Sequence, residues 1–417
     1  MSTTRLKQYR LPNGLKVAAY RYPRAAGTTI LVDVGVGPMH ESSTDPAGIS
    51  HLAEHLMVKR IQEAMIAASG PDDEVVAECL GTTRTDQTEF AMTVHRSDLD
   101  RALAGVRSLF DDVLPDDSVL SNEKKVIRHE QGEQGQDSEA IYQSLVRKSL
   151  YKGRAAESFL GSGSSLRRID RKRLGRFLKK WYRPENARLT LVGAIPASLG
   201  KSLRPLGRIR KAGAVADTGR TAASRRHDTP VRITRSRSSR LQLLYVQSVS
   251  VSAQRYPAWE FLTDALDSFL FYRTRERGLA YTQDLNLIVS PHFTGQVIES
   301  TLRPNDLVKY AEHLRDSKGE FFAGLNPRRL SMLKKAYRKK LELRSDSSEK
   351  QTDQLAWSQY ALGTPMPLEE QASLVSRLTM AGVRDLHTEL AAEPAQLVCI
   401  GSVVRKTARM AQSVLSR

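Results

Sequence analysis

Two segments of this chain end alike. Residues 167–182 (RRIDRKRLGRFLKKWY) carry helical periodicity and run into the apolar strand pattern RLTLVGAI, which holds Gly193. Residues 380–391 read as helix and run into QLVCIGSV, which holds Gly401. The glycines stand 208 residues apart in a chain of 417, half its length. One match at that period points to an internal duplication without proving it. The expected layout is a first domain over 1–200, a basic linker over 201–228 and a similar domain over 229–417.

The two halves share a pattern. The first opens with an Asn13-Gly14 turn, then GLKVAAY and the β-branched run TTILVDVGV, both strand-like. A polar loop over 37–47 precedes a helix over about 48–69, broken at Gly70-Pro71. TEFAMTVH alternates as a strand, and helices follow over about 98–112, 117–134, 138–150 and 167–182. In the second half, LQLLYVQS is a strand, 256–276 a helix, more strands follow Gly278, and helices cover about 305–323 and 327–344. Strands early and helices late in each half make the class α+β.

The formal net charge is +18. Residues 201–240 hold twelve Lys/Arg against Asp217 and Asp228. Charge that dense suits a solvated linker, a surface for an acidic peptide or protein, or nucleic acid. Few aromatics interleave it, which argues against base stacking. Cys79 and Cys399 lie far apart in apolar contexts and read as buried, reduced thiols. No run of about 18 apolar residues occurs, so no transmembrane helix is expected. MSTTRLKQYRLPNG has basic residues but no apolar run behind them, so it is not read as a secretory signal, and a cytoplasmic location is expected.

The chemistry concentrates in GISHLAEHLMVKR. On a helix, His51 and His55 share a face and can bind one metal ion. Two imidazoles and a carboxylate suit zinc with a fourth position open to water. Glu54 can then serve as general base toward that water. The order H-x-x-E-H is a known hydrolase signature, the inversion of the commoner zinc-protease motif. The plainer alternative is an amphipathic helix with two surface histidines. A third ligand should come from another helix, and SNEKKVIRHEQGE offers Glu123, His129, Glu130 and Glu133. Glu123 and Glu130 are seven apart and share a face. One could bind the metal while the other supports a histidine; the alternative is solvent-facing charge.

On these residues the chain resembles the pitrilysin/insulinase family of zinc peptidases, in the short two-domain branch that includes the mitochondrial processing peptidase subunits. YRLPNGLKV, GISHLAEHLMVKR, NEKKVIRHE and SFLFYRTRERGLAY carry the likeness, which covers nearly the whole chain. The resemblance implies zinc held by His51, His55 and Glu130, with Glu54 as base and Glu123 supporting the metal site. It implies that Tyr281 donates a hydrogen bond to the substrate carbonyl. It also implies two similar α+β domains, each a mostly antiparallel sheet packed with helices. Two chains, as a homodimer or heterodimer, would face each other as a clamshell around a peptide substrate. An edge strand would pair with the substrate backbone.

Three departures are visible. The family's arginine, seven residues before the tyrosine, is Thr274 here, flanked by Arg273 and Arg275, which become the candidates for substrate binding. The Asn-Ala before the active-site edge strand is replaced near Gly81-Thr82-Thr83, and lysine-glycine-threonine reads Val58-Lys59-Arg60. The leading expectation is a zinc endopeptidase for short or unfolded peptides. Its positive charge points to acidic substrates such as leader segments of a small precursor peptide. The alternatives are the zinc-bearing half of a heterodimer and a non-catalytic core subunit. No membrane role is expected, and nucleic acid is the least favoured partner.

Overall fold

The structure is a computed structural model that describes residues 5–22, 25–69, 78–210, 213, 230–236, 238–393 and 395–416. The chain divides into two compact units, Met1–Ser224 with Ser347–Trp357, and Arg225–Asp346 with Ser358–Arg417.

The first unit's strands are β1 (Leu6–Arg10), β2 (Lys16–Arg21), β3 (Gly27–Val34), β4 (Leu80–Thr83), β5 (Thr88–His95) and β6 (Ala187–Gly193). They form one sheet in the order β1-β2-β6-β3-β5-β4. β2 and β6 pair in parallel and every other neighbouring pair is antiparallel. A parallel pair needs a long crossover, and nearly the whole domain lies between β2 and β6. Its helices are α1 (Ile49–Ala67), α2 (Leu99–Ser108), α3 (Asp117–Gln134), α4 (Ser138–Leu150), α5 (Gly163–Arg167), α6 (Arg171–Trp181), α7 (Leu199–Ser202) and α8 (Arg204–Gly207). The central strand β3 is buried along almost its entire length, matching its unbroken run TTILVDV. Ile49, Leu52, Leu56 and Ile61 of α1 bury their side chains with Ile30, Val32, Phe90, Leu103 and Val106 in one core.

The second unit repeats the plan. Its strands are β7 (Val231–Thr234), β8 (Leu241–Ser248), β9 (Thr282–Ser290), β10 (Phe293–Leu302) and β11 (Ala395–Ile400). Their order is β7-β11-β8-β10-β9, with β7 and β11 parallel and the other pairs antiparallel. That is the first sheet without its outermost strand β1. Its helices are α9 (Tyr256–Arg277), α10 (Leu307–Ala323), α11 (Pro327–Ser345), α13 (Leu368–Ser376), α14 (Met380–Ala392) and α15 (Arg405–Leu415), while most of α12 (Ser348–Ala361) lies in the segment Ser347–Trp357 that belongs to the first unit. Trp259, Phe261, Tyr310, Leu243 and Leu397 lie in its core. The protein is thus two α+β domains of one topology, and Gly193 and Gly401 close equivalent strands.

Part of the span read as a linker is built into the first domain. Leu203 and Leu206 are buried in that core, and Asn13 Nδ2 donates to the Leu206 carbonyl at 2.7 Å. Between 211 and 228 only Gly213 is described, and Gly70-Pro71 falls outside the described residues too. Cys79 and Cys399 are buried free thiols. Burial pushes both up to about 12, and the Glu54 charge adds to the effect on Cys79. Among the described residues no helix is long and apolar enough to cross a membrane.

Candidate metal centre

The site begins at the turn that opens α1. Gly48 has φ of 90°, the left-handed region that favours glycine, and a Cβ there would press on the Leu160 carbonyl. The Glu41 carboxylate accepts from the backbone N–H of Gly48 at 3.2 Å and of Ser50 at 3.1 Å. It thereby satisfies donors that the first helical turn leaves open. One residue later comes His51, with Glu54 and His55 at helical spacings of three and four.

The apolar side of α1 is locked into the core, which directs the two imidazoles toward α3. The Nε2 atoms of His51 and His55 face each other at 3.2 Å. Glu130 reaches both, with Oε2 3.1 Å from His51 Nε2 and Oε1 3.5 Å from His55 Nε2. One donor atom from each of the three lies within 4.8 Å of the others, and among the described residues this is the one such His/Cys/Asp/Glu group.

Behind that group stands buried Glu123. Its Oε2 lies 3.1 Å from His55 Nδ1, while Lys59 Nζ sits 2.5 Å from its Oε1. With Glu123 accepting the Nδ1 proton of His55, a lone pair is left on Nε2, the atom that faces His51 and Glu130. His129 and Glu133 pair with each other at 3.4 Å on the exposed side of α3. The helix thus directs one pair of its four candidates inward and the other outward.

Two imidazole nitrogens and a carboxylate oxygen converging on one point fit zinc's preferred donors. Electrostatics agree. Burial alone would push the His51 imidazole down, yet hydrogen bonds and charges from Glu130 and Glu54 outweigh it and hold the group at about 9. The His51 hydrogen bond leads in holding Glu130 below its ordinary range. The carboxylates thus favour positive charge at this point.

Glu54 is itself buried, its Oε2 3.2 Å from His51 Nδ1. Two β4 residues govern it, and sequence reasoning gave neither a role. Thr83 Oγ1 donates to Glu54 Oε2 at 2.8 Å. At Gly81 a Cβ would run into the Glu54 side chain, so a larger residue there must displace the carboxylate. Nothing local marks this requirement, because Gly81 and Glu54 meet only after the sheet has formed.

Thr274 lies in the second unit. That residue is buried on α9, and its hydroxyl donates to Gln283 Oε1 at 2.7 Å, the oxygen that also accepts from Tyr310 at 2.9 Å. Arg273 turns to Glu320, with Nε 3.1 Å and Nη2 2.5 Å from Oε2. The Arg275 guanidinium stands 5.8 Å from the Phe271 ring centre. Tyr281 is 54% exposed, and its described partners are two other arginines. Arg303 Nε donates to its hydroxyl at 3.5 Å, and the Arg240 guanidinium lies 4.4 Å from its ring centre. The Arg303 hydrogen bond and then its charge lower the phenol's pKa. Proximity in sequence pointed to Arg273 and Arg275; the sheet brings Arg303, from the end of β10, onto Tyr281 instead.

Comparison with known proteins settles the family. The sequence model of the insulinase family, peptidase family M16, matches residues 16–162, and that of the peptidase M16 inactive domain matches 168–337. The chain belongs to the M16 family. A curated relative, the uncharacterized zinc protease YmxG of Bacillus subtilis (strain 168), is 22% identical over 200 residues, 48% of this chain and 49% of that protein. The match thus spans about half the length of that curated relative. The first half of the periplasmic protease PqqL from Escherichia coli superimposes with a TM-score of 0.76 at 16% identity, covering 99% of this chain and 97% of that one. A protease from Helicobacter pylori gives 0.72 at 14%, covering 95% and 99%. A chain of complex III2 from Candida albicans gives 0.74 at 12%, covering 97% and 99%. At these identities the three structures speak for the fold alone.

Proposed function

We propose that this M16 protein is a zinc-dependent endopeptidase acting on short or unfolded peptides. The observation that carries the reading is the convergence of His51, His55 and Glu130 beside a buried, oriented Glu54. His51, His55 and Glu130 would hold the ion, and Glu123, braced by Lys59, would fix the His55 ring. Bound zinc supplies a Lewis acid that acidifies water and polarises a carbonyl.

The chain's own groups do the rest. Glu54 takes the proton from the attacking water and passes it to the leaving amine. Thr83 keeps the receiving carboxylate in place. β4 is a sheet edge, bonded to β5 on one side. A peptide added along its free side would lie beside Glu54 and be held through its backbone, which gives loose sequence preference. Arg303 makes the Tyr281 hydroxyl the better donor, the property that its expected role toward a carbonyl oxygen gaining charge requires.

Thr274 supports a second reading, in which the chain is the zinc-bearing half of a heterodimer and a partner supplies the arginine. A non-catalytic subunit is the third. It draws on the second domain's match to the M16 inactive domain and on the complex III2 likeness. The test is Glu54→Gln in the full chain, assayed on a quenched peptide beside zinc analysis. A catalytic role predicts retained zinc with cleavage reduced about 10²- to 10⁴-fold. Equal cleavage by both proteins would contradict it. Cleavage that appears only on mixing with a second M16 chain would select the heterodimer.

A further inference from the structure

A pocket of about 430 Å³ in the second unit, far in sequence from the metal motif, is lined by Tyr245, Gln247, Lys318, His387, Leu390 and Leu415 among others. Lys318 on α10 is its chemical centre. The side chain is partly exposed, and its amine donates to Gln247 Oε1 at 2.9 Å. Gln247 cannot turn, because its Nε2 donates to the Leu390 carbonyl at 3.1 Å. The ammonium also stands 5.5 Å from the Tyr245 ring centre. One neutral acceptor and a ring face leave donors unmet on a group with three protons.

Among the described residues no carboxylate pairs with Lys318. Arg315, the other cation of the lining, is matched by its neighbour Asp316 at 2.8 Å. Glu393 lines the pocket without forming an ion pair to the amine. His387 stacks on Phe322 with ring centres 3.7 Å apart, and burial, then the Lys318 charge, push its pKa down, which keeps it a neutral polar wall. Burial pushes the Lys318 amine down to about 8, which leaves it mostly protonated at neutral pH. A half-desolvated charge with no counter-ion among the described residues is costly, and an anion in the pocket would relieve that cost.

We infer that this pocket binds a small monocarboxylate with an apolar body, its carboxylate on Lys318 and its body against Leu390 and Leu415. A single unpaired cation favours a monoanion over a phosphate dianion, and the leucines favour a hydrocarbon or side chain beyond the charge. The volume is of small-molecule size. Fatty acyl and peptidyl carboxylates share this chemistry.

The test is calorimetric titration of the full chain with hexanoate, N-acetylleucine, hexanamide and inorganic phosphate. Wild type is compared with Lys318→Met and with Lys318→Arg, which keeps a cation. The inference predicts that one of the carboxylates binds at least about tenfold more tightly than hexanamide or phosphate, with the preference lost in Lys318→Met. The tighter carboxylate names the source. If Lys318→Met does not fold, the Lys318 εCH₂ resonance of the wild type, assigned through Lys318→Arg, should shift on adding the carboxylate and stay fixed on adding hexanamide. Equal binding of hexanoate and hexanamide, tighter binding of phosphate, or no carboxylate binding at millimolar concentration would overturn it.

Discussion

α1 and α9 hold the same place in two copies of one topology, each following a central strand and preceding a hairpin at the sheet edge. They are used differently. α1 buries its apolar side with Ile30, Val32 and Phe90 and leaves His51 and His55 free to meet α3 and Glu54 to meet β4. α9 contains no histidine and buries Trp259, Phe261, Leu262, Leu266 and Leu270. Its last turns carry Thr274 inward and arginines outward. A duplicated scaffold thus keeps its strand order while one copy gives up packing surface for ligands and the other keeps it. The chemistry lies with the side chains on the shared frame, which is why fold likeness at low identity leaves activity to be argued from the site.

The contrast breaks most sharply at β4. Gly81→Ala should displace the Glu54 carboxylate and lower turnover about 100-fold, with metal content unchanged. The matching edge strand β9 meets a different carboxylate, that of Asp267 on α9, through the Leu285 N–H at 2.7 Å. Asp267 is not one of the proposed metal ligands, so an alanine placed at an exposed position of β9 should leave turnover alone. Retained turnover in Gly81→Ala would remove the strand's control over Glu54.

Next comes the brace behind the histidines. Glu123→Gln should weaken zinc affinity about 10- to 100-fold, read by competition with a chelating dye. Lys59→Met should weaken it less, because it loosens Glu123 without removing the oxygen that His55 needs. Unchanged affinity in Glu123→Gln would assign that residue to packing alone.

The smallest effect sharpens the second unit. Arg303→Ala should raise the Tyr281 phenol back toward its ordinary pKa in an ultraviolet titration and reduce turnover about tenfold, with thermal stability kept. Thr274→Arg tests the family position directly. It should destabilise the protein by about 3 kcal/mol, since a guanidinium would replace the hydroxyl bonded to Gln283 in the core. A stable, more active Thr274→Arg would show that Arg303 does not fill that role.

Much of this was legible in the sequence, and the reasons are local. Helical spacing joins His51 to His55 and Glu123 to Glu130, because a helix turns neighbours at three, four and seven onto one side. The runs TTILVDV and LQLLYVQS announce their strands by buried β-branched and aliphatic residues. Short strands such as Leu80–Thr83 and Val231–Thr234 are too brief for any periodicity to show. Gly81 against Glu54, Lys59 on Glu123 and Arg303 on Tyr281 are contacts between separate elements, so only the folded domains disclose them. The same limit pointed to Arg273 and Arg275, adjacent in sequence to Thr274 but turned elsewhere by α9. It also made residues 201–210 read as linker, since their basic side chains hide that Leu203 and Leu206 enter the core.

The central claim is that α1 and α3 form a zinc site. Its most direct test is zinc per chain by mass spectrometry in the purified protein beside the His51→Ala, His55→Ala double variant. The account predicts about one zinc per folded wild-type chain and essentially none in the variant, with the fold kept by circular dichroism. A wild-type chain that takes up no zinc even when zinc is supplied, or a double variant that holds as much, would contradict it.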